Sequence, residues 1–145
     1  MKKIITGTVF AGALLSGLLG IQLATAAELL KTQTSWDGGS FDYPDGQPEI
    51  TSFILSLEEG QQTPWHCHPV PTMGHVLEGG IEVETRSGRK TVLRQGDSVA
   101  EVMGTLHRGR GLAGGVKIVV FYAGASGLPN TVLEGDQVYG QLCAR

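Results

Sequence analysis

The sequence predicts an all-β domain, a sandwich or barrel of short strands, and three observations carry that reading. Glycine occupies 22 of 145 positions, about double its average usage of ~7%. Apolar or alternating runs of strand length recur at close spacing, each closed by Gly, Pro or Asp. Beyond the N-terminal segment, no stretch repeats its apolar residues at the helical period.

The chain opens on a segment apart from that domain. Met1-Lys2-Lys3 precedes an apolar run from Ile4 to Leu23, closed by Ala24-Thr25-Ala26 before Glu28. A positive start, an apolar stretch and a small-x-small close mark a secretory signal peptide. Residues 1–26 are therefore read as cleaved, and the mature chain as periplasmic or secreted. A retained anchor is the alternative, since the run is long enough to span a bilayer. Gly7, Gly12, Gly17 and Gly20, with Thr6, Thr8 and Ser16, dilute it, and no stable membrane insertion is expected.

Residues 27–48 carry turn chemistry in Trp36-Asp37-Gly38-Gly39, Tyr43-Pro44-Asp45-Gly46 and Pro48, and form an N-terminal arm with one short strand. Residues 49–134 form the barrel. Glu49 to Leu57 is a strand with Phe53, Leu55 and Leu57 on one face, and Glu58-Glu59-Gly60 turns the chain. Thr63 to His68 is extended, Met73 to Leu77 is a further strand, and Glu78-Gly79-Gly80 is a turn. Ile81 to Arg86 alternates apolar and polar residues, Ser87-Gly88 turns, and Lys90 to Leu93 returns, the pattern of a hairpin. After the turn Gln95-Gly96-Asp97 comes a strand from Ser98 to Val102. Val116 to Tyr122 is apolar nearly throughout, as for a strand buried on both faces. Asn130 to Leu133 is a last strand and residues 135–145 a C-terminal tail. Only the signal segment reads as helical.

Loss of residues 1–26 removes Lys2 and Lys3 and no acid, so the net charge moves from −3 to −5. An acidic domain without a basic stripe argues against nucleic acid and anionic membranes as partners. Cys67 reads first as a small buried hydrophobe. A bridge to Cys143 is the alternative open to a chain folded outside the cytoplasm.

The four histidines are concentrated. Gly60 leads through Trp65 to His66-Cys67-His68, His75 follows, and Gly104-Thr105-Leu106 precedes His107. Residues i and i+2 of a strand share a face, so His66 and His68 look the same way and Cys67 looks the opposite way. Imidazole is the commonest protein ligand for transition metals. A third histidine from a neighbouring strand completes a three-nitrogen site with open positions.

Gly60, His66, His68 and Gly79, then Gly96, Gly104 and His107, resemble the paired motifs of the cupin superfamily at their proper spacing, over about residues 50–123. The resemblance implies a small jelly-roll β-barrel holding one divalent transition metal on His66, His68 and His107. Iron, manganese, nickel, copper and zinc are all open to such a donor set. It departs from the family at three places: Thr72 stands where the motif has its glutamate ligand, Val102 where it has proline, and Gly111 where it has asparagine.

Two residues compete to replace the missing carboxylate. By strict alternation from Thr72, His75 faces away and packs as a strand histidine; a register set by Met73 turns it into the pocket. Glu101 leads into the second motif, a solvated strand carboxylate by default and a ligand or general base if turned inward. Phe53, Trp65, Met73, Val83 and Phe121 are assigned to the barrel lining or core, and Arg108 and Arg110 to the surface, with an anion at the pocket mouth as their alternative role. The function that follows is a metal-dependent enzyme acting on a small molecule, of oxygenase or isomerase/lyase type. A non-catalytic module capturing a metal or small ligand is the alternative. Edge strands make a homodimer plausible.

Overall fold

Two long strands bend together at matched glycines, and the site is built on that bend. The computed structural model describes residues 25–143. They form strands β1 (Pro48–Leu57), β2 (His66–Cys67), β3 (Thr72–Thr85), β4 (Lys90–Arg94), β5 (Ser98–Ala100), β6 (His107–Ala125) and β7 (Val132–Leu133), and a single helical turn, α1 (Tyr139–Leu142). The segment read as a signal peptide lies, up to residue 24, outside the described residues.

The paired strands are antiparallel. The second half of β6 lies between β1, in register from Pro48↔Ala125 to Leu57↔Val116, and the first half of β3. Its first half pairs with the other end of β3, from Ile81↔Gly111 to Thr85↔His107, and with β2 at His66↔His107. Each long strand thus serves both halves of a barrel-like sheet. The switch falls where the register slips between Gly79 and Ile81. Gly79 takes φ +72° there, opposite Gly115 at φ +75°. A Cβ on Gly79 would sit 2.0 Å from the Gly115 carbonyl oxygen, so glycine is required by close backbone approach as well as by φ. The pair Gly79-Gly80, expected to be a turn, is therefore a bulge inside one strand of 14 residues. Turns and bulges ask for the same residue.

The expected hairpin is formed by β3 and β4, with the register Ile81↔Leu93 to Glu84↔Lys90. Its polar face is tied by Lys90 to Glu82 and Glu84. Val116 to Tyr122 differs from expectation. Val116, Ile118, Val120 and Tyr122 are buried, while Val119 and Phe121 are only partly covered and Lys117 is exposed, so one face is interior. The inward face meets Val76, Ile81, Val83 and Val99 in the main core. A smaller cluster forms behind β2, where Cys67 and Val132 meet the C-terminal turn. There Cys67 and Cys143 are joined by a disulfide, with Cα atoms 6.0 Å apart. The bridged reading replaces the free buried cysteine, and α1 adds a helical turn to the tail. Among the described residues no helix is long and apolar enough to cross a membrane.

Candidate metal centre

The cross-strand pair His66↔His107 and the continuation of β2 to His68, which bridges to Met103, bring three imidazoles to one place. Their ring centroids lie 4.4 to 4.9 Å apart, and one nitrogen from each falls within 4.8 Å of the other two. Closing these nitrogens to ~2.1 Å from a shared ion takes only small side-chain adjustments.

Backbone carbonyls set the chemistry of all three rings. His66 Nδ1 lies 2.8 Å from Pro64 O, His68 Nδ1 2.9 Å from Asn130 O, and His107 Nδ1 2.9 Å from Thr105 O. A carbonyl only accepts, so each Nδ1 carries the proton and each Nε2 is left with a lone pair. Fixing the tautomer through the remote nitrogen is what metal-binding histidines require. Burial, aided by mutual repulsion, holds His66 down at about 4 and His68 well below its ordinary value. Burial lowers His107 as well. At neutral pH the site presents three neutral nitrogen donors.

Glu101 departs from the default reading. It is not a solvated strand carboxylate: β5 ends at Ala100, and the Glu101 side chain is only 12% exposed. Its backbone N–H donates to Thr72 O at 2.8 Å, extending the register Met73↔Ala100 by one step. Cross-strand neighbours share a face, so Glu101 looks where Thr72 looks, into the cavity. Its Oε2 stands 3.9 Å from His107 Nε2 and accepts from the Trp36 indole N–H at 3.3 Å. Burial pushes the carboxyl above its ordinary value, against the pull of the Trp36 bond.

His75 is the packed strand histidine of the first reading, with Nδ1 2.8 Å from Ser98 Oγ and no part in the cluster. Thr72 is buried, donates its hydroxyl to Val70 O, and lines the cavity. Of the residues expected to line or pack the barrel, Phe53 and Val83 reach the cavity wall. Met73 is partly exposed and also lines the cavity, while its cross-strand partner Phe121, half-covered, does not. Trp65 is held outside, between the guanidinium groups of Arg86 and Arg108 at 4.3 and 4.6 Å. Arg108 and Arg110 bond Glu84 and Glu82 on the outer face, so neither leans over the mouth. Gly111 explains one motif departure: a Cβ there would lie 2.3 Å from Glu58 O, leaving no room for asparagine.

Four contributors escaped the sequence reading. Trp36 reaches Glu101 from the arm, and its backbone N–H is anchored on Ala100 O. Asn130 and Thr131 hold His68 from a segment read only as strand. Tyr122 packs its ring 5.3 Å from that of His68 and shares a hydrogen bond with Thr131. Period-two counting along Val116 to Tyr122 could have found Tyr122; nothing local marks Trp36, Asn130 or Thr131 as site residues.

The four groups face a cavity of about 210 Å³. At ~30 Å³ per water, it holds roughly seven waters or a molecule of comparable size. Leu55, Ile81, Val83, Ile118 and Val120 make its walls, and the histidines, Glu101, Tyr122 and Thr131 its polar end.

The family model described as "Cupin domain" matches residues 53–122. No curated protein sequence matches the chain. Among solved structures, the DMSP lyase DddQ from Ruegeria pomeroyi DSS-3 is similar at 23% identity and TM-score 0.53, covering 69% of this chain and 48% of its own. An oxalate oxidase is similar at 20% identity and TM-score 0.50, covering 61% and 50%. A variant of the Bacillus subtilis oxalate decarboxylase is similar at 19% identity and TM-score 0.51, covering 61% and 25%. This chain thus spans half or less of each of those proteins, and the likeness is one of fold. With the all-β topology, the two histidine motifs and the family match in agreement, this chain belongs to the cupin superfamily.

Proposed function

We propose that the protein is an exported cupin that holds one divalent transition metal on His66, His68 and His107 and acts on a small molecule as a metal-dependent enzyme, of oxygenase or isomerase/lyase type. The observation that carries this reading is the set of three Nδ1–H···O=C bonds, which turns three Nε2 lone pairs into one cavity. Buried lone pairs facing one another and a carboxylate repel, and a cation relieves that repulsion. The donor set therefore fits a metal of the nitrogen-binding class.

When bound, such a metal supplies Lewis acidity. The chain does the rest. The largely apolar walls, open to solvent beside the exposed Phe53 and Leu133, fit a small substrate. Tyr122, whose burial raises its phenol above the ordinary value, keeps its proton at neutral pH and can donate it as a hydrogen bond. The similar lyase and oxidase structures support an enzymatic reading in kind, and the signal-like N-terminus together with the Cys67–Cys143 bridge supports export.

Elemental analysis of protein purified from the periplasm, without chelator or polyhistidine tag, should find one transition metal per chain, with a mature N-terminus near Ala27. His66→Ala and His107→Ala should lose the metal and keep the fold. A wild-type chain that neither carries nor takes up a metal contradicts the proposal.

A further inference from the structure

Resting on the three-histidine reading above, we infer that Glu101 is the metal's fourth protein ligand, supplying from the end of β5 the carboxylate that position 72 lacks. The first support is placement. Glu101 N donates to Thr72 O at 2.8 Å, making the two residues cross-strand neighbours with side chains on the same inward face. A carboxylate can leave the first site and be replaced from the second without a change of fold.

Distance is the second support. Two ligands each ~2.1 Å from one ion stand at most ~4.2 Å apart. Glu101 Oε2 is 3.9 Å from His107 Nε2, too long for a hydrogen bond and within the span of a shared ion. The compact cluster itself holds only the three histidines, so the carboxylate joins the ion by a side-chain movement toward His66 and His68. The third support is satisfaction of the oxygen. His107 Nε2 carries no proton, because Nδ1 donates to Thr105 O, so it gives Glu101 nothing. Oε2 accepts from Trp36 Nε1 at 3.3 Å on the side of the N-terminal arm, and the Val102 backbone N–H also donates to the carboxylate. A carboxylate with about four lone-pair sites keeps acceptor capacity beyond these two bonds. Trp36, tied by its own N–H to Ala100 O at 3.0 Å, acts as a positioning residue. A buried anion set against three lone pairs is a poor arrangement without a cation and a good one with it. Coordination by Glu101 also halves the charge that three neutral imidazoles leave uncompensated on a divalent ion.

Cobalt(II) is the probe, since its visible absorption reports its ligands directly. Wild type, Glu101→Gln, Trp36→Phe and His66→Ala are each titrated with Co(II). Glu101→Gln should bind about 100-fold more weakly, at the upper limit of what outer partners of a site cost, and should show altered bands at saturation. Trp36→Phe should lose about 10-fold with the bands of wild type. Weaker binding by Glu101→Gln with unchanged bands places Glu101 outside the coordination sphere and overturns the inference. So does binding like wild type, provided His66→Ala loses the metal. Should wild type fail to bind, the three-histidine reading itself falls. A measurement on the unmodified chain guards against a misfolded variant: the metal-loaded minus metal-free infrared difference should contain a carboxylate band shift, and its absence overturns the inference too.

Discussion

At the scale of single residues, the site is a set of protonation states fixed by the backbone. The three imidazoles prefer to be neutral, His66 down to about 4, with His68 and His107 also lowered by burial. Below pH 6.5 the unfolded chain binds protons that the folded chain refuses, so folding stability falls as the pH falls through that window. Glu101 works in the opposite sense. Its raised value lets the folded chain take up a proton first, which adds stability as the pH drops toward its unfolded value of 4.5. With three groups against one, the melting temperature of the metal-free protein should drop between pH 6.5 and 5. That range lies above the one in which the ion-paired Glu82 and Glu84 titrate, because their arginine and lysine partners hold them low. Calorimetry of His66→Ala should show a flatter profile, and a wild-type profile flat or rising on acidification contradicts the assignment. The three histidines were legible because spacing and alternation bear directly on which face they share. Glu101 was not, because its direction depends on a register set by Thr72 and on Trp36, a residue far away in sequence.

At the scale of elements, the barrel depends on where β3 and β6 bend. Hairpin β3–β4 could be read residue by residue, since its alternation and its Ser87-Gly88 turn are local. The bend at Gly79 could not, since the sequence carries no trace of the β6 backbone lying against it. Two glycines with similar torsions separate the two demands. Gly88 has φ +89° and open space around its missing Cβ, whereas Gly79 has φ +72° and a backbone oxygen 2.0 Å from that point. Gly88→Ala should cost about 1 kcal/mol, the penalty for a left-handed alanine alone. Gly79→Ala should cost about 3 kcal/mol or more, because the clash is with main chain and cannot be relieved by a rotamer change. Urea unfolding of both variants checks the pair; equal costs would show that β3 and β6 do not approach as closely as described.

At the scale of the whole molecule, one covalent link closes the chain behind the site. Cys67 stands between two site histidines, yet strand alternation turns it away from them and into the cluster with Val132 and Cys143. The sequence offered the two cysteines but not their proximity, which depends on β7 and α1 bringing the C-terminus back to β2. The bridge joins residues separated by 76 positions, and chain-entropy reasoning values such a closure at between about 4 and 5 kcal/mol. The double variant Cys67→Ser, Cys143→Ser should lose about that much in denaturant unfolding. It should still bind one metal per chain, because the contacts that orient His66, His68 and His107 come from Pro64, Asn130 and Thr105, none of which rests on the bridge. Thiol counting on the wild-type protein should find no free cysteine before reduction and two after. If the double variant instead keeps its stability and loses the metal, the link acts on the site directly, and the division of labour between the two faces of β2 is wrong.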